Sequence, residues 1–386
     1  YQFMNDFPKE EFTNRISKIQ KNLDRENIEA IIITSPSNFR YFSGLDSNFW
    51  ESPTRPWFLV ISKKNPIKAI IPSIGITALE KTLIKDIEVW QSPNPNDEGV
   101  TLLKKTIKNF PINSKIGFEL AFESHLRMSI QDFINIQKEL SDYKFVDVSK
   151  IIWELRKIKS ENEIENITQI CSIASNVFDT FPEKIYTNIT EKKATSIFKK
   201  ELINNGADYI MYMACASGEG GYDQIITNPT EKKLNNGDIL IIDTGSTLNG
   251  YFCDFDRNFG FGKINDISLD AYTKLWESIE STLEIIKPGI SCAEIYSSLS
   301  KNLIAKDGND GSVGRMGHGL GLQLTEPPSI MRNDHTVIEK NMIITLEPSI
   351  ELDKNKILVQ EENLLITENG YKLLSTRTPE KLPIII

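Results

Sequence analysis

Apolar residues recur at helical spacing from about Glu11 to Asn27, with Ile16, Ile19 and Leu23 on one face. Ala30 to Thr34 is then a short continuous apolar run that ends at Ser35-Pro36-Ser37-Asn38. The pattern predicts helix, buried strand, turn. Phe58 to Ser62 and Ile67 to Ile71 predict two more strands across polar Lys63 to Pro66. Helical patterns follow at Glu80 to Leu83 and Val100 to Ile107, and strands at Lys115 to Glu119 and Phe145 to Val148. Alternating strand and helix is the signature of an α/β layer domain. A charged amphipathic helix is expected from Trp153 to Glu165, so the boundary is placed near residue 150, dividing the chain into 1–150 and 151–386. Helices continue to about Asn205, after which the pattern changes. Asp238 to Asp243 reads as a strand, Asn249-Gly250 as a two-residue hairpin turn and Tyr251 to Phe259 as the return strand. Helices recur at Ser268 to Ile286 and Cys292 to Leu303, and late strands at Met342 to Leu346 and Ile357 to Thr367. The second half is thus α+β with antiparallel content.

The hairpin carries an unusual charge pattern. With Asn249-Gly250 as the turn, paired positions sum to 499, which sets Asp243 opposite Asp256 and Asp254 opposite Gly245. Side chains alternate between faces along a strand, so Asp243, Asp254 and Asp256 share one face. Three like charges there repel and resist burial. Either the face is solvated or a cation compensates it, and hard oxygen ligands suit such a cation. Elsewhere, Gly317-His318-Gly319-Leu320-Gly321 places one histidine among glycines, which admit close backbone approach. Glu347 ends an apolar run, and Glu361 lies between two apolar runs. Carboxylates in such positions are costly to bury without a partner.

Composition narrows the function. Of 386 residues, 40% are hydrophobic and 25% charged, the balance of a globular chain. The net charge of -9 argues against nucleic acid, whose phosphates need clustered Lys and Arg, and gives no support to anionic membranes. No apolar run approaches the length of a membrane span, and Tyr1 to Arg15 lacks the features of a signal peptide. Cys171, Cys215, Cys253 and Cys292 are widely spaced without a CxxC pair, as expected of thiols in a reducing compartment. A cytoplasmic location is the expectation. There is no GxxxxGK[ST] phosphate loop, and Gly218 to Asp223 reads as a loop near the site. Only His125, His318 and His335 are available as histidines.

The order Asp, Asp eleven residues on, His, Glu, Glu resembles the superfamily of methionine aminopeptidase, aminopeptidase P, prolidase and creatinase, with its pita-bread fold. The matching segments are GDILIIDTGS at 237–246, GYFCDFDR at 250–257, GHGLGL at 317–322, TLEPS at 345–349 and EENLLIT at 361–367. Leu155 to Ser160 with Glu163-Ile164 resembles the start of the C-terminal domain, and Asn38 to Gly44 a strand-end segment of the N-terminal domain. The resemblance implies an α/β creatinase-like domain followed by an α+β pita-bread domain with a curved antiparallel sheet. It implies that Asp243, Asp254, His318, Glu347 and Glu361 hold two divalent ions, commonly Mn, Fe, Co or Zn, with Asp254 and Glu361 bridging. It also implies a homodimer.

The chain departs from the peptidases at two histidines that stabilise the tetrahedral intermediate and shuttle protons. Their positions are Ile226 and Thr325 here. Asp256 stands where Thr is usual. Glu362, on the opposite face from Glu361 by alternation, reads as structural. The leading expectation is hydrolysis of a C–N bond in a small carboxylate-bearing substrate such as an Xaa-Pro dipeptide, with Glu347 taking the proton. A second is the dimethylsulfoniopropionate lyase branch, which removes a proton α to a carboxylate, with Asp256 as base. A third is a non-catalytic binding protein of the same fold. Substrate contacts are expected from Trp50, Arg55, Trp57, Tyr222 and Thr325. The aromatic and charged stretch Phe49 to Trp57 suits a cation or a carboxylate, or else forms core at a dimer interface.

Overall fold

The computed structural model describes residues 7–52, 55–301, 303, 314–352 and 355–386. The chain divides into two compact units, Tyr1–Arg156 and Lys157–Ile386. Among the described residues no helix is long and apolar enough to cross a membrane.

The first unit is built on six strands: β1 (Ala30–Ile33), β2 (Phe58–Ser62), β3 (Lys68–Pro72), β4 (Asp86–Trp90), β5 (Lys115–Phe118) and β6 (Lys144–Asp147). They form one mixed sheet in the order β4-β3-β2-β1-β5-β6. Central β1 is buried along its whole length, which explains its unbroken Ala-Ile-Ile-Ile run. Phe58, Ile70, Trp90, Ile116 and Phe118 share one apolar core. Two expectations are corrected, and one strand is added that the pattern did not predict. Ser35 to Asn38 is not a turn. Extended Ser35 takes the N-cap position, Pro36 opens an α-helix over Pro36–Ser43, and Gly44 closes it in the left-handed region. Glu80 to Leu83 is not helical. The helix Ile76–Leu79 stops as the Thr82 hydroxyl bonds the Leu79 carbonyl at 2.7 Å. Asp86 to Trp90 is an edge strand, latched by Lys68 to Asp86 and Glu88 at 2.7 and 3.0 Å. Its acidic side chains mask the strand pattern.

The helix expected from Trp153 to Glu165 is two helices, Ser149–Arg156 and Glu161–Thr180. Ser160 and Glu163 form a reciprocal capping box that starts the second. The second unit adds helices Glu191–Asn204, Asp266–Leu283 and Cys292–Ser300. Its strands are β7 (Tyr209–Glu219), β8 (Asp238–Leu248), β9 (Tyr251–Phe252), β10 (Phe255–Phe261), β11 (His318–Gly319), β12 (Glu326–Ser329), β13 (Ile343–Leu346), β14 (Ser349–Leu352), β15 (Lys356–Val359), β16 (Glu362–Ile366), β17 (Tyr371–Leu373) and β18 (Ile384–Ile385). One sheet runs β18-β10-β8-β7 with β9 against β8, another β12-β11-β13-β16-β17, and β14 pairs with β15. Nearly all pairings are antiparallel; β10 with β18 is the exception. The architecture is therefore an α/β unit followed by an α+β unit.

Candidate metal centre

The hairpin is set by its turn. Asn249 and Gly250 have φ of 48° and 75°, the pair of positive values that a type I′ turn requires. Leu248 pairs with Tyr251, Thr244 with Phe255 and Asp243 with Asp256, so the expected register holds on both sides of the interruption at Cys253-Asp254. Asp254 sits in that interruption. Its N–H donates to Asn363 Oδ1 at 3.0 Å, and the Asn363 amide donates back to the Asp254 carbonyl. Asn363 belongs to β16, so this pair of hydrogen bonds ties the hairpin to the strand that follows Glu361.

Ligand atoms of Asp254, His318 and Glu361 lie within 4.8 Å of one another, and all three residues are buried. The His318 backbone N–H donates to the Thr345 hydroxyl at 3.2 Å. Gly317 before it has φ 137°, and a Cβ there would meet the Thr345 carbonyl at 2.1 Å, so only glycine fits. His318 Nδ1 is 2.9 Å from the Gly319 carbonyl, which fixes the proton on Nδ1. Nε2 then turns its lone pair toward Asp254 Oδ2 at 3.3 Å. Two electron-rich atoms at that distance repel unless a proton or cation lies between them. Asp243 Oδ1 and Glu361 Oε1 are enclosed without a hydrogen-bond partner. Such orphaned anionic oxygens are expensive. The donor set, four carboxylates and one oriented imidazole, fits a divalent transition ion.

Electrostatics give the same picture. Burial, then the charge of Asp254, push the Asp243 carboxyl well above its ordinary range, against hydrogen bonds from Tyr212 and Thr244. Burial raises Asp254, and Arg315 offsets part of that. Burial, then Asp254, Glu347, Asp243 and Asp256, raise Glu361. Glu347 is pushed up to about 8 by burial, with His318 and Arg315 opposing and Asp243 and Asp254 adding to the rise. Asp256 is raised by burial and then by Asp243, with Arg257 opposing. Five carboxylates thus share one low-dielectric region, and Asp243 and Glu347 feel the cluster although they lie outside its tightest core. Raised carboxyl values stabilise the metal-free fold below the unfolded range near 4, and that stability is lost as pH rises toward about 8. Metal-free protein should therefore lose on the order of a few kcal/mol between pH 5 and pH 8, and Mn²⁺ should restore it. Urea titrations with and without the ion check this; a metal-free midpoint that rises with pH contradicts it.

The other expected site residues divide. Glu362 is 0% exposed, between Arg257 at 2.9 Å and Arg377 at 3.0 Å, as a structural ion pair. Tyr222, expected at substrate, is 1% exposed in an apolar cluster. Its hydroxyl accepts from the Val359 N–H at 2.7 Å and donates to Asn258 at 3.1 Å, so it fastens β10 to β15 instead. Thr325 is partly buried, its hydroxyl taken by Arg315 at 3.0 Å. Ile226 is 79% exposed. In the first unit, Trp57 is 1% exposed, packed against Phe39, Phe49 and Trp50, and is core of its own unit. Trp50 is partly buried beside it. Arg55 lies over the Phe49 ring at 5.5 Å, its backbone N–H donating to Glu98 at 3.0 Å. Pro53 and Thr54 of that stretch lie outside the described residues.

Three residues at the site carry no sequence signal. Tyr212 on β7 lies close enough to Asp243 for each to act on the other's ionisation. Asn363 clamps Asp254. Arg315 bonds Thr325 and Ser329. Their roles appear only once distant strands are paired.

Residues 165–368 match the metallopeptidase family M24 model, and residues 15–158 match the creatinase/prolidase N-terminal domain. The chain is 28% identical over 371 residues to an Xaa-Pro dipeptidase of Pyrococcus furiosus, covering 95% of this chain and 99% of that one. It is 27% identical to an uncharacterized peptidase of Staphylococcus haemolyticus, covering 94% and 99%. A prolidase from Thermococcus sibiricus has a similar structure, with TM-score 0.87, 23% identity and coverage of 97% and 99%. That last likeness speaks to fold.

Proposed function

The chain belongs to metallopeptidase family M24, and from that premise we propose that it hydrolyses the C–N bond of a small carboxylate-bearing substrate of Xaa-Pro type. Two divalent ions would be held by Asp243, Asp254, His318, Glu347 and Glu361. The observation that carries this reading is the buried group of Asp254, His318 and Glu361, with unpartnered oxygens on Glu361 and Asp243. When bound, the ions supply Lewis acidity toward a carbonyl and lower the pKa of water.

The chain's own groups do the rest. The Gly319 carbonyl keeps His318 in the Nδ1-protonated tautomer. Tyr212 would favour the ionised form of Asp243. Glu347, a buried carboxylate within reach of the charges of Asp243, Asp254 and His318, would take the proton of the attacking water and return it to the leaving nitrogen. Asp256 adds negative charge beside Asp243. The relatives described above are named as peptidases, which favours hydrolysis over the lyase reading. A homodimer completes the proposal; light scattering on the purified chain tests it.

Incubating Mn²⁺-loaded protein with an Xaa-Pro dipeptide should release free proline. Release of dimethyl sulfide from dimethylsulfoniopropionate, with no proline from any dipeptide, would instead favour the lyase. Ile226→His should raise dipeptide kcat/KM about tenfold by restoring a proton-carrying group. An unchanged rate would show that position 226 does not reach the reacting atoms.

A further inference from the structure

No motif singles out Arg315, yet it is tied to the strand beside the metal histidine. It precedes His318 by three residues. Its guanidinium donates to Thr325 Oγ1 at 3.0 Å and to Ser329 Oγ at 3.3 Å. Ser329 is the strand partner of His318 across β11 and β12. Thr325 is the position that carries the second histidine in the peptidases this chain resembles. The backbone on which Arg315 stands is pinned on both sides: Met316 N–H donates to the Ile330 carbonyl at 2.8 Å, Ile330 N–H to the Gly317 carbonyl at 2.8 Å, and Glu347 N–H to the Met316 carbonyl at 3.0 Å. Arg315 is also close enough for its charge to act on both Asp254 and Glu347.

We propose that Arg315, steered by Thr325 and Ser329, is the donor that stabilises the oxyanion formed when the substrate carbonyl is attacked. This rests on the peptidase reading. The water oxygen bonds to the carbonyl carbon, the π pair moves to the carbonyl oxygen, and the water proton passes to Glu347. The C–N bond then breaks with its pair leaving on nitrogen, which takes that proton. Arg315 meets the transient negative charge with charge-assisted hydrogen bonds. A histidine at 325 would bring a full positive charge only when protonated. Arginine stays charged at every accessible pH and cannot shuttle a proton. That division leaves proton transfer to Glu347.

The test compares wild type, Arg315→Met and Arg315→His, each loaded with Mn²⁺ and checked for metal content. Arg315→Met should lower kcat by about 10²- to 10³-fold, with KM changed less than about threefold. Arg315→His should regain part of that activity only below about pH 6.5, where imidazole is charged. An unchanged kcat in Arg315→Met overturns the proposal, and so does loss of bound metal, which marks a structural role. Should Arg315→Met not fold, Thr325→Val, which removes one steering hydroxyl, should lower kcat about tenfold; no change overturns the proposal. If wild type cleaves no dipeptide, the peptidase reading fails separately. Calorimetry with inorganic phosphate, a tetrahedral anion, then decides on Arg315. Affinity at least about tenfold weaker in Arg315→Met supports the assignment, and equal affinity overturns it.

Discussion

Asp254→Asn should abolish tight divalent-ion binding and lower dipeptide kcat/KM by more than about 10³-fold, since losing a ligand costs more than the 10- to 100-fold typical of its outer partners. Asp254 is the residue that most of the cluster feels. Its Oδ2 faces His318 at 3.3 Å, and its charge raises Asp243, Glu347 and Glu361. The fold should tolerate the change. Asn363 holds Asp254 through backbone atoms, which the substitution leaves intact. Removing one of several crowded negative charges also relieves repulsion, so the metal-free variant should be at least as stable as metal-free wild type near pH 8. Calorimetric Mn²⁺ titration and thermal melts check both parts. A variant that unfolds, or one that still binds two ions tightly, contradicts them.

Arg257→Met should destabilise the protein by about 3–5 kcal/mol, the usual result of stripping one partner from a buried ion pair. Arg257 donates to the carbonyls of Asp256 and Glu361 and to the Glu362 carboxylate. Glu362 is 0% exposed and would keep only Arg377, Ser375 and the Thr378 N–H to balance its charge. Because Arg257 also fixes the backbone of Glu361, one of the proposed metal ligands, metal affinity should fall with stability. The double variant Arg257→Met, Glu362→Leu should recover much of the lost stability while metal affinity stays reduced. Denaturant unfolding of the single and double variants measures this. A loss under about 1 kcal/mol in the single variant would mean that water reaches Glu362.

The parts of this chain that were legible in its sequence are those governed by local rules. Asn249-Gly250 dictates a type I′ turn, and a period of two then puts Asp243 opposite Asp256, as found. The uninterrupted apolar run at Ala30 reads as a buried strand for the same reason. Other elements were hidden. Tyr209 to Glu219 is apolar without clean alternation, because its middle is buried on both faces while its start is exposed, so its continuity as one long strand did not show. Pro36 suggested a turn because proline opens turns and helices alike, and the Phe39 N–H donating to the Ser35 carbonyl at 2.9 Å marks the helix. Tyr222 looked available in a glycine-rich loop, yet Asn258 and Val359 claim its hydroxyl. Tyr212, Asn363 and Arg315 are ordinary residues in sequence, and the groups they act on lie 31, 109 and 10 residues away.

The central claim is that Asp243, Asp254, His318, Glu347 and Glu361 converge on a pair of cations. A crystal grown with Mn²⁺ and measured at the manganese absorption edge tests it directly. Two anomalous peaks are expected, both among these five side chains, with Asp254 and Glu361 touching both. Peaks elsewhere, or none at saturating Mn²⁺ with these side chains paired to other protein groups, would contradict it.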